Sequence, residues 1–222
     1  MKSKLLIYGI GKFAEYLAFL FNNDSKYQVI GYCIEENYLK SNKVKSIINN
    51  LHVYSFENVT NEITDDFDIF IAIGNNDIRA RIFKKAIELN LSFANYVSSK
   101  ATIWENFDNA RNIFIGEGSI IQPYVNIGDN TFIIGGRIGH HCNIGNHVLM
   151  TGNTIGGNAT IGNFCYLGMN STIKQNLAIA QNTVIGMGCN LEKNTNPYEV
   201  YSNKGTTIRK VDSKQLGNRF LK

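Results

Sequence analysis

The sequence predicts two regions of unlike construction, an α/β layer of Rossmann-like type followed by an all-β parallel β-helix built from hexapeptide repeats. Three observations predict it. Aliphatic residues recur at every sixth position through the second half, strand-like runs alternate with helix-like runs through the first, and 20 glycines against 2 prolines point to many tight turns.

In the first half, Lys4-Leu5-Leu6-Ile7-Tyr8 reads as a buried strand, followed by the turn Gly9-Ile10-Gly11-Lys12-Phe13-Ala14 and a helix with Phe13, Leu17 and Leu20 or Phe21 on one face. In this G-x-G-x-x-A turn the glycines let backbone amides approach a phosphate at the helix N-terminus, where the dipole favours negative charge. A second strand over 27–34 ends in Glu35-Glu36. A third, over 67–73, runs into Gly74-Asn75-Asn76-Asp77, a helix carrying Arg79, and a last strand near 93–97. Strands alternating with helices imply a small parallel sheet covered on both faces. The residues before the repeats suffice for one mononucleotide-binding half and not for the two halves of a dinucleotide fold. The candidate nucleotide contacts are Gly9, Gly11, Lys12, Glu35, Gly74, Asn75 and Arg79. Against this stand a purely structural tight turn and an Arg79 solvated on its helix face.

In the second half the sixth-position anchors run through Ile115, Ile121, Ile127 and Ile133, then Ile138, Ile144 and Met150, then from Ile155 through Ile161, Leu167, Ile173, Ile179 and Ile185 to Leu191. A period of six fits neither a helix nor a two-faced strand; it fits a triangular coil in which each hexad makes one side. The residue four after an anchor is small or β-branched, as at Val125, Thr131, Cys142, Ala159, Cys165 and Cys189, and fills the space beside the large anchor. Glycine and asparagine at the corners accept the backbone angles of a tight turn. The phase slips by one residue from Ile133 to Ile138 and from Met150 to Ile155, flanking His140-His141-Cys142. Such a departure marks either a functional position or a harmless corner irregularity.

Composition excludes several classes. With 22 basic and 18 acidic residues the net charge is +4, with no like-charge block that would recruit nucleic acid or a membrane surface. Cys33, Cys142, Cys165 and Cys189 are widely spaced with no C-x-x-C pair, as expected of a reduced cytoplasmic protein. The apolar run after Met1-Lys2-Ser3-Lys4 is too short for a signal peptide or a membrane span.

Gly9-x-Gly11-x-x-Ala14, then Ala72-Ile73-Gly74-Asn75 with Arg79, then Ile138-Gly139-His140-His141-Cys142-Asn143-Ile144-Gly145 within hexapeptide repeats, resemble the bacterial sialic-acid O-acetyltransferase-like sugar acyltransferases, which include N-acetyltransferases of nucleotide-linked amino sugars. The resemblance spans essentially the whole chain. It implies a sugar-nucleotide domain over residues 1–95, a left-handed β-helix with a C-terminal tail over 96–222, a homotrimer, and an acetyl-CoA site between neighbouring β-helices. It also implies that His140 acts as general base. The residue after that base is commonly acidic in the amino-sugar enzymes, whereas here it is His141, and a Gly-x-Pro-Ala turn common near the C-terminus of the family is replaced by Tyr201-Ser202-Asn203-Lys204-Gly205-Thr206.

Acyl transfer from a thioester needs a nucleophile relieved of its proton, a donor for the oxyanion and a groove for pantetheine. Histidine, with an ordinary pKa of about 6.5, suits the first task. His140 and His141 follow the anchor Ile138 by two and three residues and are expected to point outward as the catalytic pair. A coil of 17 or 18 residues stacks His140 near Gly157 or Asn158; the Gly157 N–H is the candidate oxyanion donor, and Gly157, Gly168 and Gly186 are the candidate positions for close approach by acetyl-CoA. Cys142 falls in the inward phase, which argues against a cysteine nucleophile and for direct attack. The preferred reading is acetyl transfer to the amino group of a nucleotide-linked amino sugar in glycan biosynthesis, with no metal. The alternatives are O-acetylation of a sugar hydroxyl, a non-catalytic trimeric scaffold, and a zinc enzyme of the γ-carbonic-anhydrase type using His140, His141 and His147.

Overall fold

The computed structural model describes residues 2–41, 45–104, 109–208 and 210. The chain opens with strand β1 (Ser3–Tyr8), helix α1 (Lys12–Asn23), β2 (Tyr27–Ile34), α2 (Glu36–Leu39), β3 (Ile47–Ile48), β4 (Leu51–Ser55), α3 (Val59–Glu62), β5 (Asp68–Ile71), α4 (Asn76–Glu88) and β6 (Ser92–Phe93). These strands form one sheet in the order β3-β4-β2-β1-β5-β6, parallel except for the β3–β4 hairpin. The chain builds outward from β1 through β2 to β4, then returns to the other side of β1 with β5, so the order reverses between β1 and β5. A crevice at the carboxyl ends of those two strands is where open α/β sheets hold ligands. Apolar runs bury both faces of this sheet, with Leu5, Ile7, Leu17 and Phe21 in one core and Leu6, Ile69, Ile82 and Phe83 in the other.

The expected strand near 93–97 divides into two. Ser92–Phe93 closes the α/β sheet beside β5, whereas Tyr96–Val97 pairs with Phe114–Ile115 and starts the β-helix. The strand β4 and its hairpin are absent from the sequence reading, because Leu51-His52-Val53-Tyr54 is a short stretch in which only Val53 is fully buried.

From residue 96 the chain winds as a left-handed parallel β-helix of three faces. The first face stacks Phe114–Ile115, Phe132–Ile134, Leu149–Thr151, Tyr166–Leu167 and Val184–Ile185; the second stacks Ile120–Ile121, Arg137–Ile138, Thr154–Ile155 and Thr172–Ile173; the third stacks Asn126–Ile127, Asn143–Ile144, Thr160–Ile161 and Ala178–Ile179. Every anchor points inward, and anchors stack on anchors, as in the run Ile121, Ile138, Ile155, Ile173. Burying an isoleucine in this way stabilises the fold by about 1.5–3 kcal/mol. The small residues between the anchors, Cys142, Ala159 and Cys165 among them, are fully buried in the same core. Both phase slips lie at the corner between the first and second faces, where Gly135 and Gly152 take positive φ of 71° and 57°. They shorten two coils to 17 residues in register and do not themselves form the histidine corner.

The α/β layer is fixed to the first face. Phe114 and Phe132 point outward from the β-helix into the α/β core, where Phe132 stacks on Phe70 at 5.5 Å and 13°. Phe13 of α1 lies against both aromatic rings. A buried polar chain crosses the same junction: the Ile71 N–H donates to Asn112 Oδ1 (2.7 Å), Asn112 Nδ2 donates to Asn130 Oδ1 (2.6 Å), and Asn130 Nδ2 meets His147 Nδ1 (2.8 Å).

Candidate active site

The corner between the second and third faces carries His140 and His141. Both side chains are exposed while their backbone is held from neighbouring coils. The His140 N–H donates to Gln122 Oε1 (2.9 Å), the His141 N–H donates to the Pro123 carbonyl (3.2 Å), and the Asn158 N–H donates to the His140 carbonyl (2.8 Å). The His140 and His141 Nδ1 atoms lie 3.0 Å apart, with the rings nearly perpendicular. Tyr124, one coil before His141, packs on the His141 ring at 4.6 Å.

The Nε2 edge of His140 lies over Gly157. A Cβ on Gly157 would stand 2.8 Å from His140 Nε2 and 2.9 Å from Cε1, so glycine leaves the space that the ring occupies. The Gly157 N–H makes no hydrogen bond among the described residues. Its counterpart one coil earlier, the His140 N–H, is capped by the Gln122 side chain; the residue equivalent to Gln122 is Gly139, which has no side chain to offer. A Cβ on Gly139 would stand 2.5 Å from the Gly157 nitrogen, so Gly139 also keeps this donor uncovered. Imidazole and open N–H border a groove of about 560 Å³ lined by Ile120, Arg137, Gly139, Thr154 and Gly156.

The other candidate positions divide. Gly9 (φ +116°) follows β1, Gly11 is the N-cap of α1, and Gly74 and Asn75 follow β5, so the structure brings these four to the switch-point crevice. An added Cβ at Gly11 or Gly74 would meet nothing within 4 Å, which leaves both backbones open to a ligand. Asn75 caps α4, its Oδ1 accepting from the Ile78 N–H (3.0 Å). Lys12 is exposed and paired with Glu15 at 3.1 Å.

Two charged positions are corrected. Arg79 is fully buried, neither on a solvated helix face nor open to a phosphate. Its guanidinium donates to the carbonyls of Ile73 (3.0 Å), Gly74, Asn130 and Val148 (each 3.2 Å) and to Asn76 Oδ1 (2.9 Å), and it lies 4.3 Å from the Phe132 ring centroid. Burial lowers its pKa to about 9, so it stays charged at neutral pH and clamps the loop after β5 to the β-helix. Glu35 is also taken: Arg81 grips its carboxylate through two bonds (2.6 and 2.7 Å) and Lys85 adds a third (2.6 Å), lowering its pKa to about 2. Those hydrogen bonds take three of the carboxylate's roughly four acceptor sites.

Gly168 and Gly186 lie apart from His140. They follow anchors of the first face, a different corner from His140, and added Cβ atoms would meet the Met187 nitrogen (2.8 Å) and the Tyr201 carbonyl oxygen (3.0 Å). Coil stacking therefore accounts for glycine there, and Gly157 alone of the three borders His140. Cys142 and Cys165 are buried, and burial raises both thiols, Cys165 to about 11. His147 lies at the next corner against Phe83 and Phe164, so the three imidazoles of the zinc alternative do not converge. Burial, then the charge of Arg79, lowers the pKa of His147. Sequence reasoning missed Gln122 and Tyr124, although a 17-residue spacing places Tyr124 directly before His141 in the stack.

Residues 97–209 match the family model of the GMPPB C-terminal domain, just over half the chain. The chain belongs to the GMPPB C-terminal domain family. Ahead of that domain, residues 4–86 match the PglD N-terminal domain, and the pair of matches bears out the resemblance drawn from the motifs. Solved structures agree on the fold. A His→Asn variant of perosamine N-acetyltransferase from Caulobacter crescentus, in complex with CoA and GDP-perosamine, superposes with a TM-score of 0.78 at 16% identity, covering 89% of this chain and 92% of that one. The acetyltransferase domain of PglB from Neisseria gonorrhoeae, in complex with acetyl coenzyme A, gives 0.73 at 19% identity over 90% and 96%. WeeI from Acinetobacter baumannii gives 0.67 at 22% identity over 88% and 94%.

Proposed function

We propose that this member of the GMPPB C-terminal domain family is an acetyl-CoA-dependent acetyltransferase acting on the amino group of a nucleotide-linked amino sugar, a cytoplasmic step in glycan biosynthesis. The observation that carries the proposal is the exposed His140 Nε2 edge beside the uncovered Gly157 N–H, a proton acceptor and an oxyanion donor bordering one groove. The solved structures with CoA or acetyl coenzyme A, two of them perosamine N-acetyltransferases by name and both of those holding GDP-perosamine, support the cosubstrate and the acceptor class.

In this mechanism the acceptor nitrogen attacks the thioester carbonyl directly. Its proton passes to His140 Nε2, the Gly157 N–H stabilises the oxyanion, and collapse breaks the C–S bond, the thiolate recovering a proton from His140. The sugar nucleotide sits at the crevice between β1 and β5, its phosphates at the Gly9 and Gly11 amides and the Gly74–Asn75 loop beside it. The labour then divides between residues 1–95 and 96–222.

The His140 corner joins the two faces that the α/β layer leaves uncovered. In the proposed homotrimer a second copy packs on these open faces, and each site is shared between the crevice of one copy and the His140 of another. No described helix is long and apolar enough to cross a membrane.

The test incubates the protein with acetyl-CoA and UDP-, dTDP- and GDP-linked sugars, amino and non-amino, with free sialic acid as a further acceptor, and reads thiol release and product mass. Acetylation of an amino sugar is expected. Acetylation of hydroxyl-only sugars establishes the O-acetyl alternative, and absence of CoA binding overturns the reading.

A further inference from the structure

His141 stands in a place where the backbone favours another residue. It lies in a corner ladder with Tyr124, Asn158 and Asn176, all at positive φ between 58° and 65°. Asparagine tolerates this left-handed conformation better than most side chains, and it fills the two later coils; a bulky ring there has to be retained by something it does. At the next corner His147 and Phe164 occupy equivalent positive-φ positions, and there the rings have an evident purpose: His147 packs on Phe83 of α4 and Phe164 stacks on His147. Among the described residues His141 makes no such contact with the α/β layer. Its contacts are the Tyr124 ring on one side and His140 Nδ1 on the other.

We propose that His141 is the positioning residue for His140, a neutral imidazole acceptor that takes the His140 Nδ1–H and so leaves the His140 Nε2 lone pair facing the groove. The inference rests on the acetyltransferase reading for what the base does, and on geometry for the pairing. At 3.0 Å only one proton fits between the two Nδ1 atoms. If His141 donated it, His140 would carry its proton on Nε2, beside Gly157, and could not accept another. If His140 donates it, Nε2 is open. As the acceptor's proton arrives at Nε2, the His140 imidazolium keeps donating Nδ1–H to a neutral His141, and the proton leaves from Nε2 to the departing thiolate. The backbone bonds at both histidines fix the pair, and Tyr124 holds the plane of the His141 ring. Tyr124 and Arg137 are the other titratable or charged side chains at this corner and its groove. An uncharged partner leaves the orienting bond without the counter-charge a carboxylate would supply.

Asparagine makes this testable, because its Oδ1 occupies nearly the place of His141 Nδ1 and its backbone prefers the left-handed corner. In the full-length protein, His141→Asn is expected to keep kcat within about threefold of the parent, because a neutral acceptor remains. His141→Ala is expected to lower kcat about 100-fold, the low end of what a placed general base contributes, with KM for acetyl-CoA little changed. His141→Asp puts a charged acceptor at the same point and is expected to move the acid limb of the kcat profile to higher pH by about one unit. Histidine NMR titration of His140 in the same proteins reads the pairing without turnover, and its midpoint is expected to rise in the aspartate variant. A His140 titration that His141→Asp leaves in place, or equal kcat in the alanine and asparagine variants, overturns the proposal. If the parent turns over no acceptor while the NMR midpoint still moves, the pairing stands and the acetyltransferase reading fails.

Discussion

The α/β layer and the β-helix use their polar groups in opposite ways. In the first, the charged side chains that looked most like ligands are spent on the protein: Arg79 on five internal acceptors, Glu35 on two cations. In the second, backbone ladders and capping side chains such as Gln122, Asn146 and Asn163 fix the coils, and at one corner His140 and His141 stand exposed with their own backbone held. A repeat that holds itself together by stacking can leave its corners for chemistry. A layer that must be fastened to its neighbour uses its charges for fastening.

The largest expected effect breaks that fastening. Arg79→Met keeps the side chain's length but leaves four carbonyls and Asn76 Oδ1 without their shared donor, and should destabilise the protein by about 4 kcal/mol. Urea unfolding followed by both tyrosine and Trp104 fluorescence would check it; a loss under about 1 kcal/mol would show that the clamp contributes little to stability.

The next effect separates two glycines of the β-helix that look alike in sequence. At Gly139 an added methyl group meets the Gly157 backbone, whereas at Gly157 its nearest neighbours are atoms of the His140 ring. Gly157→Ala should therefore fold with nearly the parent's Tm and lose kcat by about 10-fold as the ring is displaced, about 1.4 kcal/mol in the barrier. Gly139→Ala should lower Tm, since the contact is with backbone that cannot swing aside. Thermal melts alongside turnover distinguish the two, and matching behaviour would contradict the geometry.

The smallest effect concerns Glu35. Its folded pKa lies below its unfolded value, so the ion pairs contribute fully above about pH 5 and the contribution is lost as pH falls through about 2. Allowing for the partial exposure of Arg81 and Lys85, it amounts to about 1–2 kcal/mol at neutral pH. The stability gap between parent and Glu35→Gln should be constant from pH 7 to pH 5 and close between about pH 4.5 and 2; a gap independent of pH would show the pairs contribute nothing.

Much of this contrast could be read from the sequence, and unevenly. The anchors of the β-helix were legible because a period of six leaves one way to bury Ile121, Ile138 and Ile155 together, and stacking arithmetic then put His140 near Gly157 or Asn158, of which the structure selects Gly157. The switch-point glycines were legible because a strand, a glycine turn and a helix are local. Arg79 was not, since its acceptors at Asn130 and Val148 lie far along the chain and only the docked first face brings them within 3.2 Å. Gly168 and Gly186 were ambiguous for the converse reason: a glycine required by a neighbouring coil looks the same in sequence as one kept open for a ligand.

The central claim is that chemistry resides at the His140 corner while binding is distributed over the rest. It is tested most directly by comparing the parent and His140→Ala for acetyl-CoA affinity, sugar-nucleotide affinity and single-turnover acetyl transfer. The account predicts both affinities within about threefold of the parent and a transfer rate lower by at least about 100-fold. Transfer at the parent's rate in the variant would contradict it.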